Sequence, residues 1–139
     1  MEIVCVLRYT MNAVVASGLS SQSVKAEFDE HAKEEQEHMC LVAERINQLG
    51  GKQNFNPEGL ARKAASQYTE GANLVEMIKE NLIAERSACD HYQELIRFFA
   101  DKDPATREMM EGILVNEIEQ ANDMYDLSVA HEGTPTLRK

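Results

Sequence analysis

Apolar residues recur at steps of three and four in four separate stretches of this chain, the spacing of a helix face turned toward a core. Val24, Phe28, His31, Glu35, His38, Val42, Ile46 and Leu49 form one such stripe. Ile78, Leu82, Glu85, Cys89, Tyr92, Ile96 and Phe99 form a second, and Met110, Ile113, Glu117, Gln120, Met124 and Leu127 a third. A shorter run leads from Glu2 through Val6, Tyr9, Ala13 and Ala16. The residues between the stripes supply the ends. Ser17-Gly18 suits a helix C-terminus, Ser20 or Ser21 an N-cap, and Gly50-Gly51 a stop. Asn73-Leu74-Val75-Glu76 resembles a capping box, and Asp103-Pro104 an N-cap with proline at the first helical position. Gly133-Thr134-Pro135 closes the last element. The pattern predicts helices over 2–17, 21–49, 73–100 and 103–131, with a crossover over 50–72 and a tail over 132–139, in one domain spanning 1–139.

The crossover is turn-rich at Asn54-Phe55-Asn56-Pro57-Glu58-Gly59 and helix-compatible from Leu60 to Tyr68. A connection that long carries the chain the length of a bundle, so the second and third helices are expected to run parallel. At 1.5 Å per residue, a first helix of about fifteen residues covers barely half of a second of about twenty-nine. The pattern therefore predicts that roughly ten to fifteen helical residues precede Met1 in the native product, at that same rise per residue.

The stripes are not purely apolar. Glu2, Glu35, Glu85 and Glu117 each sit within one, and His38 follows Glu35 by one turn, on the same face. An ionised carboxylate buried without compensation costs several kcal/mol or more. No Lys or Arg occupies the stripe positions, so divalent or trivalent metal ions are the natural counterions. A metal-free hydrogen-bonded network would need basic partners that the stripes lack. His31, one turn before Glu35, fits either an auxiliary metal or supporting group or a core histidine. Tyr9 and Tyr92 point inward, where packing is the plainer role and a hydrogen bond to a buried glutamate or electron transfer the sharper one. His91 and His131 read as solvated surface residues. The acidic run from Glu27 to Glu37 reads mostly as a solvated face whose outer members would guide cations inward.

Composition narrows the class. The chain has 139 residues, 43% apolar and 27% charged, with three prolines, seven glycines and no tryptophan, which suits long helices in one soluble domain. A formal net charge of −10 argues against nucleic acid and anionic membrane surfaces. Cys5, Cys40 and Cys89 are scattered in apolar helical runs with no Cys-x-x-Cys pair, as expected of reduced core thiols in a cytoplasmic protein. The run Ile3 to Leu7 has an acidic flank at Glu2 and is broken by Arg8, unlike a signal peptide. No run reaches transmembrane length.

The segments Glu2-Ile3-Val4-Cys5-Val6-Leu7-Arg8-Tyr9, Glu34 to His38, Leu49-Gly50-Gly51, Asn54 to Leu60, Ala84-Glu85-Arg86 and Ile113 to Gln120 together resemble bacterioferritin and its ferritin-like relatives along nearly the whole chain. The resemblance implies an all-α, ferritin-like four-helix bundle with a long crossover between the second and third helices, a shortened first helix and no fifth helix. It implies a di-iron site in which Glu35 and Glu117 bridge two iron ions, Glu2 and His38 are terminal ligands of one, and Glu85 is a terminal ligand of the other. The family's second histidine is here Gln120, whose carbonyl is a neutral and poorer donor for Fe(II). Glu119 beside it points about 100° away around the helix. The second iron site is thus expected to be weaker. The family's haem-ligating methionine is replaced by Gln36, so haem is not expected, and Met39 reads as packing.

The function so implied is oxidation of Fe(II) by O2 or H2O2 for iron storage or detoxification, with Glu35, Glu85 and Glu117 carrying the chemistry. The partners are then Fe(II), the oxidant and further copies of the chain, a dimer at least, with neither nucleic acid nor membrane. A different class is a non-catalytic or metal-buffering four-helix bundle whose di-metal site has decayed through Gln120 and the shortened first helix. A rubrerythrin-type peroxidase would need a Cys-rich iron domain that three scattered cysteines do not build. A DNA-protecting mini-ferritin would carry basic tails, for which Thr136-Leu137-Arg138-Lys139 is a meagre candidate, and ligands shared between subunits.

Overall fold

The computed structural model describes residues 1–18, 22–60 and 73–132. Four helices account for most of them: α1 (Glu2–Gly18), α2 (Gln22–Gln48), α3 (Leu74–Phe99) and α4 (Pro104–Glu132). No strand occurs among the described residues. The Ser20 or Ser21 cap, the crossover helix expected through Tyr68 and the Gly133-Thr134-Pro135 stop lie outside the described residues. None of the described helices is long and apolar enough to cross a membrane. The chain divides into two compact units, Met1–Tyr68 with α1 and α2, and Thr69–Lys139 with α3 and α4.

In the first unit α1 packs on α2, and the paired residues run in opposite directions along the two helices. Glu2 lies beside His38, whereas Tyr9 lies beside His31 and Phe28. The hairpin is therefore antiparallel. Tyr9, Val24 and Phe28 are wholly buried at its core. Toward the end of α2 the stripe is less covered: Val42 and Ile46 are half-buried, and Leu49, one residue beyond the helix, is 58% exposed. Gly50 closes the helix in the left-handed region, with φ +79°. Gly51 donates its N–H to the Ile46 carbonyl at 2.9 Å, and a Cβ there would meet Ile46 Cγ2 at 2.9 Å. Glycine is required for that approach. Beyond it, Asn54 and Asn56 each accept from a backbone N–H two residues on, both at 3.0 Å, as Asx turns do.

In the second unit α3 packs on α4, and the link over 100–103 is too short for anything but an antiparallel pair. Asn73 caps α3, its Oδ1 accepting from the Glu76 N–H at 3.0 Å. Asp103 caps α4 by accepting from both the N–H and the hydroxyl of Thr106. The α3 core is Met77, Ile78, Leu82, Ala84, Ala88 and Tyr92. Along α4 the buried series is Thr106, Met110, Ile113, Glu117, Gln120, Met124 and Ser128. Ser128 replaces the expected Leu127, which is half-buried. Four residues beyond Met124, Ser128 stays near the centre of the face, and its hydroxyl bonds the Tyr125 carbonyl at 2.7 Å. Position on the helix outweighs hydrophobicity there.

Candidate metal centre

Periodicity carries six donor residues into the interior. Glu2 is 7% exposed and His38 5%; Glu35, Glu85, Glu117 and Gln120 are each at 1% or less. In the first unit the antiparallel crossing brings the start of α1 against the middle of α2. His38 Nδ1 lies 3.8 Å from Glu2 Oε2 and 3.8 Å from Glu35 Oε2. Glu2, Glu35 and His38 each offer one ligand atom, and these lie within 4.8 Å of one another. Two oxygens and an imidazole nitrogen are the donor types that a first-row divalent ion takes, Fe(II) or Zn(II) among them. In the second unit Glu85 comes from the middle of α3, and Glu117 and Gln120 from one turn of α4. Glu119 is exposed, as its angle around α4 dictates, and so is Gln36 on α2.

A second polar pair lies two turns earlier on α2. His31 is buried, with its Nε2 3.3 Å from Glu27 Oε1. The Tyr9 ring meets the His31 ring edge-on, centroids 5.1 Å apart. Tyr92 is buried on α3 as well. His91 is half-buried, not solvated as expected, and its ring meets that of Tyr92 with centroids 6.3 Å apart.

Hydropathy hid one buried cation. Arg8 is 1% exposed, its Nη2 donating to Cys5 Sγ at 3.4 Å and its guanidinium 5.9 Å from the Tyr9 ring centre. The stripe positions themselves hold no Lys or Arg, and Arg8 adds a buried cation beside the α1 stripe. The signal was positional: Val4, Arg8, Asn12 and Ala16 recur every four residues and all four are buried. The cysteines also differ from a uniform core reading. All are free thiols, with Cys5 buried, Cys89 half-buried and Cys40 exposed. Cys40 stands two residues past His38 and so on nearly the opposite side of α2. Burial pushes the Cys89 thiol up from 9.0 to about 11, with the carboxylates of Glu85 and Asp90 adding to the shift.

Residues 1–130 match the family model of the ferritin-like domain. A DNA protection during starvation protein from Pyrococcus furiosus is 29% identical over 114 residues, covering 80% of this chain. The chain spans 62% of that relative's length. A solved structure described as a dodecameric thioferritin, the bacterioferritin-related protein from Bacteroides fragilis, is 30% identical with a TM-score of 0.87. The similarity covers 99% of this chain and 84% of that one. The four-helix fold is thus ferritin-like, as the stripes and the resemblance imply.

Proposed function

The chain belongs to the family of ferritin-like domains, and from that premise we propose that it oxidises Fe(II) for storage or detoxification. Two Fe(II) ions are the substrates and O2 or H2O2 the electron acceptor. Glu2, Glu35 and His38 are the donors proposed for one ion, and Glu85, Glu117 and Gln120 those proposed for the other. The observation that carries this reading is the convergence of Glu2, Glu35 and His38 within 4.8 Å, at positions that are otherwise apolar. Burying carboxylates together is costly, and a bound cation offsets that cost.

The test is aerobic Fe(II) oxidation by the purified protein against Glu35→Ala. Loss of a supporting residue at a metal site typically costs 10–100-fold. Loss of a direct ligand is therefore expected to lower the rate by about 100-fold or more. An unchanged rate overturns the reading. One observation favours a second reading, a metal-buffering bundle: a wholly buried amide, Gln120, stands one turn from Glu117. Tight Fe(II) binding with no oxidation above the Glu35→Ala background would select it.

We further propose that the chain assembles with copies of itself. Leu7, Met11 and Val14 form an exposed apolar stripe on α1, at 57%, 45% and 66% exposure. Patches of this kind mark association surfaces. Sedimentation velocity is expected to show a species of at least two chains, and Val14→Glu to shift it toward monomer; a wild-type monomer at micromolar concentration overturns the proposal.

A further inference from the structure

We propose that Glu27 and His31 form a weak divalent-cation site through which Fe(II) passes along α2 toward Glu35 and His38. The inference rests on the Fe(II)-oxidation reading above and adds the route by which substrate arrives.

The first argument is geometric. Two N or O ligands of one divalent ion lie about 2.1 Å from it, and at angles between octahedral and tetrahedral they stand about 3.0–3.4 Å apart. His31 Nε2 and Glu27 Oε1 are 3.3 Å apart, already at the bite of a single ion. The corresponding separations from His38 to Glu2 and Glu35 are wider, at 3.8 Å each. The second argument is position. Glu27, His31 and Glu35 are spaced by four, so they climb one face of α2 at about 6 Å per step. Their exposure falls along that climb: the Glu27 side chain is 29% exposed, His31 1% and Glu35 buried completely. A hydrated cation can meet Glu27 while keeping most of its water, and give up more of it at each later ligand. The third argument is affinity. A transit site must release what it binds, and the two ligands that α2 supplies, one carboxylate and one imidazole, hold a divalent ion less tightly than several carboxylates do. The net charge of −10 favours the first encounter.

The probe is Co(II) under anaerobic conditions with the full chain, titrated by calorimetry and located by anomalous scattering at the cobalt edge. In Glu35→Ala the central site is removed, and one weak Co(II) is expected to remain at Glu27 and His31. Adding Glu27→Gln, a half-exposed change that leaves the core intact, is expected to weaken that ion about tenfold. In the otherwise wild-type chain, Glu27→Gln is expected to slow oxidation at limiting Fe(II) by about tenfold and to leave the rate at saturating Fe(II) unchanged. Absence of Co(II) from Glu27 and His31 in both backgrounds overturns the transit site, the pair being then only a hydrogen bond, while the central reading stands. Co(II) at Glu27 and His31 with none at Glu35 in the wild type overturns the central reading alone. Equal slowing of Glu27→Gln at limiting and saturating Fe(II) also overturns the transit role.

Discussion

The first helical hairpin follows its buried glutamate, Glu35, with an imidazole one turn on; the second follows Glu117 with an amide. Both partners lie three residues beyond the carboxylate, and both are wholly or nearly buried. Periodicity has delivered a side chain to the same kind of place twice, and the identity of that side chain then sets what the place can hold. His38 offers a strong nitrogen donor to a divalent ion, whereas Gln120 offers a neutral carbonyl oxygen. A fold can thus keep the geometry of a site while altering its affinity.

The sharpest way to test whether packing places these donors is to weaken each hairpin in turn. The first is closed by an aromatic cluster in which Phe28 meets Tyr9 with centroids 5.9 Å apart. Phe28→Ala is expected to cost about 3–5 kcal/mol, the usual range for a fully buried phenylalanine. In the second, Leu82 is buried in the α3 core, and Leu82→Ala is expected to cost about 2–5 kcal/mol. Urea unfolding at fixed protein concentration reads both. A cost below about 1 kcal/mol at either position would mean that its hairpin collapses onto the gap, more plastic than a packed core allows.

Giving the second hairpin the donor of the first removes the asymmetry directly. Gln120→His is expected to tighten the weaker of two Co(II) binding steps by about tenfold, comparable to the effects seen when a metal site's supporting shell is changed. Anaerobic calorimetry reads the two steps separately. If both stay where they were, Gln120 lies outside the coordination shell and the contrast between the hairpins is one of packing only.

The helices and their inward faces were legible because 3.6-residue periodicity survives the substitution of a polar residue into an apolar stripe. Glu35, Glu85, Glu117 and Gln120 could be placed in the interior by position alone. Residues at the margins were less legible. Leu127 outranked Ser128 by hydropathy, yet the step of four from Met124 decided burial. Leu49 continued its stripe faithfully but lies just beyond the last residue of α2. Arg8 was hidden for the opposite reason: a cationic side chain is read as surface, and only the recurrence of Val4, Asn12 and Ala16 around it shows otherwise. The bite of Glu27 on His31 could not be foreseen, since spacing places two side chains on one face but does not fix their rotamers.

The thiols carry the hairpin comparison to its smallest effect. Cys40, in the first hairpin, is exposed, and Cys89, in the second, is half-buried with its pKa raised to about 11. The thiolate is the reactive form. At pH 8 a thiol of pKa about 11 is ionised about one part in a thousand, against about one in ten for a thiol of pKa 9. Iodoacetamide followed by mass spectrometry is expected to label Cys40 first. Cys89 should follow only as pH climbs from 9 toward 11, and Cys5 only after unfolding, since it is buried with the Arg8 guanidinium against its sulfur. The linkage has a definite sign. In the unfolded chain Cys89 ionises near 9.0, before the folded chain does. Its contribution to stability is therefore complete below pH 9 and lost as pH rises to about 11. Half-exposure keeps that loss small, so labelling is the better readout. Labelling of Cys89 at pH 8 as fast as a free thiol would mean that α3 opens locally around Glu85, and that the second hairpin is the looser of the two as well as the poorer in donors.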